Sequence, residues 1–399
     1  MCISAVAIKA ARGALPAMTR RSASRTGARL CIATQSASPG APLSRLRATK
    51  ATPSSSSEVL DVYSLSPKVY DIAFSFRDFE AEAAFIVEAH AKMSSQSSSL
   101  SSFLEVGCGP ARHTMLLAQS GIPKRSVGMD LSPEMIEYAR ERAAEQGLEG
   151  RAGFVVADMT SAEGFKGSVV TGDELFDAAA IMLGTFSHCL DNESALATLK
   201  NIGECVKPGG ILVIESGNPR DIYQGAFCMD GFLNAWEIGE SGDVDFAEDY
   251  EEDYDDDNDD DDNDDDAGKD CGDMREAINV AEDVEASDDI KEDEEAEDGP
   301  VEGELRVMVE YGREGDRFDV ERGVLSRTTG FSLFDEDGEL VSSSVSVVEQ
   351  RQFTLQELDL LARLSGWRLL PEGVFGDFDF DVSLGDETAD RMIAVLRRE

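Results

Sequence analysis

Hydrophobic residues between positions 58 and 237 follow two alternating patterns, short apolar runs and stretches with apolar residues at helical spacing. Ser132 and Pro133 mark the start of one helical stretch, because Ser is a good N-cap and Pro fits the first turn. The apolar runs predict five strands: Ser102–Val106, Ser126–Met129, Phe154–Ala157, Phe176–Leu183 and Ile211–Glu215. Strands and helices in alternation predict an α/β fold, with a parallel sheet between two layers of helices.

The pattern changes after residue 300, where strand-like runs are separated by turns containing Gly and Asp. Three such runs predict a small antiparallel meander: Leu305–Tyr311, Phe318–Arg327 and Leu340–Val348. A helix follows, and Thr354 and Glu357 have the spacing of a capping box at its start. Trp367–Leu370 and Met392–Leu396 predict two closing strands, which would complete a sheet of seven.

The amino-terminal segment differs in composition from the rest of the chain. The first 57 residues carry nine basic residues and no acidic one, and they are rich in Arg, Ser and Ala. This composition is typical of an organellar transit peptide, with a disordered tail as the alternative interpretation. The opening MCISAVA and the Ser and Ala content favour a plastid over a mitochondrion.

An acidic tract interrupts the folded part of the chain. Residues 237–298 contain 33 acidic and 3 basic residues, a density at which like charges repel and little apolar surface is left to bury. The tract lacks the spacing of an EF-hand, so a solvated insertion is favoured over a calcium site. The predicted organisation is therefore a transit or disordered segment (1–57), a folded domain (58–237), a disordered acidic insertion (238–300) and the rest of that domain (301–399).

The net charge, the apolar runs and the cysteines exclude several kinds of partner and site. The chain has a net charge of −44, of which −23 lies outside the acidic tract and the basic amino terminus. Nucleic-acid binding depends largely on Lys and Arg, so nucleic acids and anionic membranes are not expected as partners. No apolar run approaches the ~18 residues of a membrane span. Seven dispersed cysteines without a C-x-x-C pair, and three histidines, predict neither a disulfide framework nor a metal site.

The segment FLEVGCGPARHT joins the first predicted strand to a helix. Gly107 and Gly109 would let a ligand approach the main chain at the carboxyl end of the strand, where α/β sheets bind ligands. A dinucleotide fingerprint needs a third glycine where this chain has Arg112, and Glu105 would repel a pyrophosphate but attract an amino or sulfonium group. Asp130, at the end of the second strand, can accept both hydroxyls of a ribose. The same acid would serve the ribose of NAD, so only Arg112 and Glu105 disfavour a nicotinamide cofactor.

Five segments in order resemble the motifs of class I S-adenosylmethionine-dependent methyltransferases. They are LEVGCGPA, VGMDLSPEMIEYAR, VVADM, FDAAAIMLGTFSHC and VKPGGILVIE. The resemblance covers about residues 63–218 and 352–399. It implies a Rossmann-like, seven-stranded, mostly parallel sheet with helices on both faces, and S-adenosylmethionine as the cofactor. The antiparallel meander would then be a β lid over the methyl acceptor.

The resemblance also implies a role for individual residues. His188, after the fourth strand, is the candidate general base, and Tyr70 is a candidate for contact with cofactor or substrate, although both could be structural. His113 would order the helix after the glycine loop. The residues expected around the cofactor are Glu105, Gly107, Cys108 and Gly109 at the methionine part, Asp130 at the ribose, Asp158, Leu131 and Met159 at the adenine, and Leu183 near the sulfonium.

The segment LGTFSH replaces the Asn/Asp-Pro-Pro-aromatic motif that the family's amide-methylating members carry after the fourth strand. This departure disfavours nucleobase and glutamine acceptors and, with the acidic surface, favours a small-molecule methyl acceptor. Two hypotheses stay open. The protein is an active small-molecule methyltransferase, or it is a catalytically silent adaptor of the same fold whose acidic tract recruits a basic protein.

Overall fold

The computed structural model describes residues 66–97, 99–161, 165–170, 174–224, 234–240, 242, 244–246, 304–313 and 315–399. The segment 1–57 and most of the acidic insertion lie outside the described residues. The strands are β1 (Ser102–Val106), β2 (Arg125–Asp130), β3 (Ala152–Val156), β4 (Phe176–Ile181), β5 (Val206–Gly217), β6 (Asn234–Gly239), β7 (Val244–Phe246), β8 (Arg306–Tyr311), β9 (Arg317–Asp319), β10 (Val324–Phe334), β11 (Leu340–Arg351), β12 (Trp367–Phe375) and β13 (Arg391–Arg398). The helices are α1 (Pro67–Ala73), α2 (Phe79–Met93), α3 (Arg112–Ser120), α4 (Pro133–Glu145), α5 (Phe165–Val169), α6 (Asn192–Cys205), α7 (Pro219–Gln224) and α8 (Leu355–Leu364).

The main sheet has seven strands in the order β12-β13-β5-β4-β1-β2-β3. Strands β1 to β5 run parallel to their neighbours, while β13 is antiparallel to both β5 and β12. The predicted seven-stranded, mostly parallel sheet is therefore confirmed. Because β1 and β4 lie side by side at the centre, the chain leaves the sheet in opposite directions from this point, which is where open α/β sheets bind ligands.

Strand β4 explains why most positions of the central strands are apolar. Ala179 and Ile181 pack in a cluster that includes side chains of α6 and α8, and Ala178 and Ala180 pack in a second cluster with side chains of α2. Both faces of the strand are therefore covered by helices, which is the usual environment of a parallel sheet. Successive side chains point to opposite faces, so apolar residues are favoured on both.

Two helix starts follow their sequence signals. The Ser132 hydroxyl accepts a hydrogen bond from the backbone N–H of Met135 at 3.2 Å, and Pro133 is the first residue of α4. The Thr354 hydroxyl accepts from the backbone N–H of Glu357, whose carboxylate in turn accepts from the Thr354 backbone N–H. The predicted N-cap and capping box are both present.

A second, antiparallel sheet has the order β11-β10-β8-β6-β7, with β9 paired to β10. The predicted run Phe318–Arg327 is not one strand, because it is divided between β9 and β10 by a turn in which Gly323 has φ +66°. Strand β10 then continues to Phe334, beyond the predicted end. The meander is thus part of a larger sheet than the sequence predicted.

The predicted start of the acidic insertion at Ile238 is wrong. Ile238 is fully buried in β6, where it pairs with Val307 of β8, and Trp236 pairs with Val309. These apolar residues alternate with polar neighbours and form the inward face of the second sheet. Folded chain therefore continues through β7, and the undescribed residues 247–303 connect β7 to β8.

Helix α1 contacts the second sheet and two helices that flank the main sheet. Val69, Ile72 and Ala73 pack with the apolar face of the second sheet, and the indole N–H of Trp236 donates to the carbonyl oxygen of Ala73 at 3.0 Å. The neighbouring Asp71 forms ion pairs with side chains of α3 and α4. The helix thereby fixes the second sheet relative to the carboxyl edge of the main sheet.

Candidate functional site

A cleft of about 410 Å³, open to solvent, lies at the carboxyl ends of β1 and β4. It has three walls, formed by the loop after β1, the turn after β4 and helix α1 with the segment that follows it. The lining residues are Tyr70, Asp71, Phe74, Phe79, Glu105, Gly107, Cys108, Gly109, Pro110, Arg112, His113, Leu183 and Thr185. The cleft therefore lies at the position that the strand order predicts for a ligand.

The loop after β1 brings bare main chain to the cleft. Gly107 and Gly109 have φ values of +68° and +49°, a left-handed conformation that favours glycine. A side chain at position 107 would also collide with the Cγ2 methyl of Thr185 across the cleft. Cys108 lies between the glycines and packs in an apolar cluster with side chains of α3 and α4. Burial raises the pKa of its thiol, so this cysteine is a packing residue of the loop.

Glu105 anchors the loop to the helix that follows it. One carboxylate oxygen accepts from Nδ1 of His113 at 2.8 Å, and the other accepts from the backbone N–H and the hydroxyl of Thr114 at 2.9 and 2.5 Å. Both oxygens of this buried carboxylate are therefore engaged by the start of α3. The contacts favour a role for Glu105 in loop geometry, and His113 orders the helix as predicted.

Asp130 ends β2, and its carboxylate links the glycine loop to the start of α4. Its Oδ2 accepts from the backbone N–H of Gly109 at 2.8 Å, and its Oδ1 accepts from the backbone N–H of Ser132 at 2.9 Å. Burial raises the pKa of this carboxyl, while these backbone hydrogen bonds act in the opposite direction. A carboxylate has about four acceptor positions, so two bonds leave capacity for a pair of hydroxyls.

Three further predicted residues lie at the tips of β2 and β3, which are neighbours with Asp130 paired to Val156. Leu131 is 69% exposed beside Asp130. Asp158 is exposed, and its Oδ1 accepts from the backbone N–H and the hydroxyl of Thr160. Met159 is half-buried against the main core. The structure thus brings an exposed apolar side chain and two carboxylates to one edge, next to the glycine loop.

Tyr70 forms the α1 side of the cleft. Its ring packs against Phe74, with ring centroids 4.7 Å apart, and its Cε1 would lie 3.8 Å from a Cβ on Gly109. Burial and the nearby carboxylate of Asp130 raise the pKa of the Tyr70 phenol. The phenol is therefore protonated at neutral pH and suits contact with a ligand better than proton abstraction.

The turn after β4 is left-handed at two successive residues, with φ +51° at Leu183 and +69° at Gly184. A short 3₁₀ helix, Thr185–His188, follows. Leu183 and Thr185 are among the described residues that line the cleft. His188, the last residue of the 3₁₀ helix, is not among them. The position of His188 gives no support to the prediction that it is the general base.

Beneath the cleft is a buried ion network that the sequence did not predict. Arg77 donates to both carboxylate oxygens of Glu215 at 3.0 Å and lies 2.8 Å from a carboxylate oxygen of Glu82. Glu82 also bonds Nε2 of His113 at 2.7 Å, and Glu215 accepts from the backbone N–H of Leu183 at 2.7 Å. The network therefore joins the glycine loop to the turn after β4.

The network shifts the pKa values of two of its members, His113 and Glu215. Burial lowers the pKa of His113, but Glu105 and Glu82 outweigh burial and raise it to about 9. Burial raises the pKa of Glu215, but Arg77 and Arg391 outweigh that effect and hold the pKa below its usual value. The carboxylates of Glu82, Glu105 and Glu215 are thus balanced by Arg77, Arg391 and the protonated His113.

A second ion cluster attaches α1 to the rest of the site. Asp71 pairs with Arg112 at 2.5 Å and with Arg142 at 2.6 Å, and it accepts from the hydroxyl of Tyr138 at 3.0 Å. Arg112 stands where a dinucleotide fingerprint would have its third glycine. In this chain the position is instead used to attach α1 to the glycine-loop helix.

The part of the chain that the structure describes contains neither a cluster of metal ligands nor a membrane-spanning helix. Within it, no three His, Cys, Asp or Glu side chains are grouped so that they could hold a metal ion. No helix in the same residues combines the length and apolar character needed to cross a bilayer. The three cysteines described there, Cys108, Cys189 and Cys205, are buried free thiols.

The chain is similar to known methyltransferases. Residues 103–210 match the family model described as a methyltransferase domain. Glycine N-methyltransferase of Mus musculus is 32% identical over 120 residues, which cover 29% of this chain and 40% of that protein. Erythromycin 3''-O-methyltransferase of Saccharopolyspora erythraea is 29% identical over 121 residues, which cover 30% and 36% respectively. The matches thus span less than half of either relative.

A solved structure matches over a longer part of the chain. The crystal structure of an S-adenosylmethionine-dependent methyltransferase from Clostridium acetobutylicum ATCC 824 superposes with a TM-score of 0.52 at 14% identity. The superposition covers 83% of this chain and 96% of that one. At this identity the likeness concerns the fold, and the fold is shared across nearly the whole of the other chain.

Strand order, glycine loop and strand-tip carboxylates together define an α/β domain with a candidate ligand site at the carboxyl edge of its sheet. Together with the family match over residues 103–210, they are the features of a class I S-adenosylmethionine-dependent methyltransferase domain. The cofactor of that family is S-adenosylmethionine.

Proposed function

We propose that this protein is an S-adenosylmethionine-dependent methyltransferase that acts on a small molecule. The observation that carries the proposal is the joined cradle of Gly107, Gly109 and Asp130, in which the carboxylate at the tip of β2 holds the glycine loop in its left-handed conformation. Bound there, S-adenosylmethionine would supply a methyl group carried on a positively charged sulfur. Gly109 leaves bare main chain beside the ring of Tyr70, and the Asp130 carboxylate keeps acceptor capacity for hydroxyls, so the residues present fit this cofactor.

Each part of the cofactor has a matching surface. The loop of Gly107 and Gly109 would hold the methionine part, and Asp130 the ribose hydroxyls. Leu131 offers an exposed apolar face for the adenine, beside the acceptor oxygens of Asp158. Leu183 would lie near the sulfur. The Asp130 carboxylate beside the glycine loop favours a cation there over an anionic pyrophosphate.

The chain's own residues would act mainly by positioning the methyl donor and acceptor and by excluding water from the cleft. Tyr70 and Phe74 of α1 and the adjoining turn form an aromatic wall of the cleft, and Asp71 keeps the helix in place. Positioning donor and acceptor in line supplies much of the acceleration of a group transfer. A base is needed only if the acceptor must lose a proton, and the raised pKa of Tyr70 does not favour the phenol for that task.

Two observations support a small-molecule acceptor. The two relatives described above are named for glycine and erythromycin, and one is an N- and the other an O-methyltransferase. The strong negative charge of the chain disfavours nucleic acid. The second sheet, fixed to α1 beside the cleft, is proposed as the lid that covers the acceptor.

Isothermal titration with S-adenosylhomocysteine tests the proposal directly. We expect saturable binding of one molecule per chain, because the product contains every group that the cradle would contact except the methyl. Metabolite extracts incubated with methyl-labelled cofactor would then identify the acceptor by transfer of label. Absence of binding to both cofactor and product would refute the proposed function.

Removal of residues 247–303 is expected to leave cofactor binding unchanged within about threefold, because so acidic a segment has little apolar surface to bury against the folded domain. The deleted protein would carry a short Gly-Ser linker between Phe246 and Glu304, and both forms would be titrated with S-adenosylhomocysteine. The adaptor hypothesis makes a different prediction, namely that only the full chain retains a basic protein from cell extract. If the shortened protein no longer binds S-adenosylhomocysteine, the insertion is not merely a solvated segment.

We also propose that residues 1–57 direct the protein to a plastid, on the basis of their basic, acid-free composition. Fusion of this segment to a fluorescent protein in photosynthetic cells should give fluorescence that coincides with chlorophyll. Fluorescence in mitochondria would support the alternative organelle. A diffuse signal equal to that of the unfused reporter would exclude a transit function.

A further inference from the structure

The turn after β4 holds an unfavourable backbone conformation at the cleft. Leu183 is one of two non-glycine residues with positive φ among those described, and this conformation is unfavourable for a residue with a Cβ. Leu183 also lines the cleft. Its backbone N–H donates to Oε2 of Glu215 at 2.7 Å, a charge-assisted bond that compensates for the strain.

Glu215 depends in turn on Arg77. The carboxylate is 5% exposed on β5, and Arg77 contacts both of its oxygens, while Arg391 lies farther away at 3.4 Å. A buried carboxylate that loses its cation is left uncompensated, at a cost far above that of a surface pair. Without Arg77, Glu215 would take up a proton or move toward water, and the bond to Leu183 would weaken.

The same arginine reaches the opposite wall of the cleft. Arg77 pairs with Glu82, Glu82 bonds His113, and His113 bonds Glu105 at the start of the glycine loop. Arg77 itself does not line the cleft. One buried cation between α1 and α2 thus stabilises both main-chain segments that would contact the cofactor.

We infer that Arg77 is a positioning residue for the cofactor, which acts through Glu215 to fix the backbone of Leu183 at the cleft. The inference rests on the proposed function, because it assigns Leu183 to the cofactor's surroundings. Arg77 lies 138 positions from Glu215 in the sequence and is not part of the glycine loop.

The test uses titration of S-adenosylhomocysteine into the full chain and two single variants. Arg77→Met leaves Glu215 without its main cation, and we expect at least about 30-fold weaker binding. Glu215→Gln keeps an oxygen that can accept from the Leu183 N–H without the buried charge, so binding should stay within about fivefold of the original.

The double variant Arg77→Met, Glu215→Gln separates positioning from direct contact. If Arg77 acts through Glu215, removal of both charges should restore affinity to within about fivefold of Glu215→Gln alone. Glu82 keeps His113 as a partner in this variant. Affinity as low as that of Arg77→Met would overturn the inference, because Arg77 would then act on the ligand by itself.

Two further variants complete the experiment. Arg77→Lys keeps the charge but not the two-pronged geometry and should weaken binding by roughly three- to tenfold. Arg363→Met removes an exposed ion pair with Asp359 and should change nothing. Unchanged affinity in both Arg77 variants, or loss of folded structure by circular dichroism in either, would also overturn the inference. If the original chain does not bind S-adenosylhomocysteine, the proposed function fails, which is a different result.

Discussion

Replacement of Asp130 by Ala is expected to weaken the binding of S-adenosylhomocysteine by at least about 50-fold, or about 2.4 kcal/mol. Two losses add in this variant. The ribose hydroxyls lose a charged acceptor, and the backbone N–H groups of Gly109 and Ser132 lose the carboxylate that they now share. The glycine loop would therefore be less well ordered before any ligand arrives. Isothermal titration of both proteins under the same buffer gives the ratio directly.

Two controls separate these losses. Asp130→Asn keeps one carbonyl acceptor for the loop and should fall between the original and the Ala variant. Asp359→Ala removes a carboxylate whose contact is an exposed ion pair on α8, and it should bind as the original does. Equal affinity in Asp130→Ala and the original would show that the ribose is not held at β2 and would remove the main support of the proposed function.

The sequence predicted the strand-tip residues well because their signals are local. The strand β1 was predicted with the bounds that the structure has, and Asp130 follows from the end of an apolar run just before an N-cap. Apolar periodicity, glycines and caps report on the backbone within a few residues. Five motif-like segments in the expected order were enough to predict which residues lie at the carboxyl edge of the main sheet.

The ion network could not be predicted in this way. Arg77 and Glu215 are 138 positions apart, and each is a single charged residue beside an apolar run. No spacing rule connects such residues, since their contact depends on how α1, α2 and β5 pack. Glu215 could have been suspected, because a carboxylate near the end of a strand otherwise apolar on both faces needs a buried partner.

The wrong boundary of the acidic insertion has a physical cause of the same kind, and the position of His188 also depends on the local path of the chain. Trp236 and Ile238 are apolar residues at the edge of a strongly acidic tract, and composition outweighed their alternation in the prediction. His188 follows β4 closely in sequence, but the left-handed Leu183 and Gly184 turn the chain so that Thr185 contributes to the cleft wall instead. The number of residues between a strand end and a side chain does not determine whether that side chain reaches the cleft, because the turn between them sets the direction of the chain.

The chain should lose stability as pH rises from about 6.5 to 9 because of His113. Its pKa is about 9 in the folded protein and near 6.5 when unfolded, so the folded state holds the proton more tightly. The stabilisation is complete below about pH 6.5 and is lost as the pH rises through 9, and it amounts to about 3 kcal/mol for such a difference. Loss of the proton would leave the carboxylates of Glu82 and Glu105 facing an uncharged ring.

His113→Gln should remove this dependence, and the difference between the two proteins isolates it from the charge of the rest of the chain. We expect the variant to be less stable at pH 6.5 and nearly equal to the original at pH 9.5, with urea unfolding followed by circular dichroism at both values. The other groups with strongly raised pKa values lie higher, since Cys189 titrates near 11 and Tyr138 near 12. A stability difference that does not change between pH 6.5 and 9.5 would mean that His113 is neutral, and the glycine loop would then be held by ordinary hydrogen bonds and not by a buried cation.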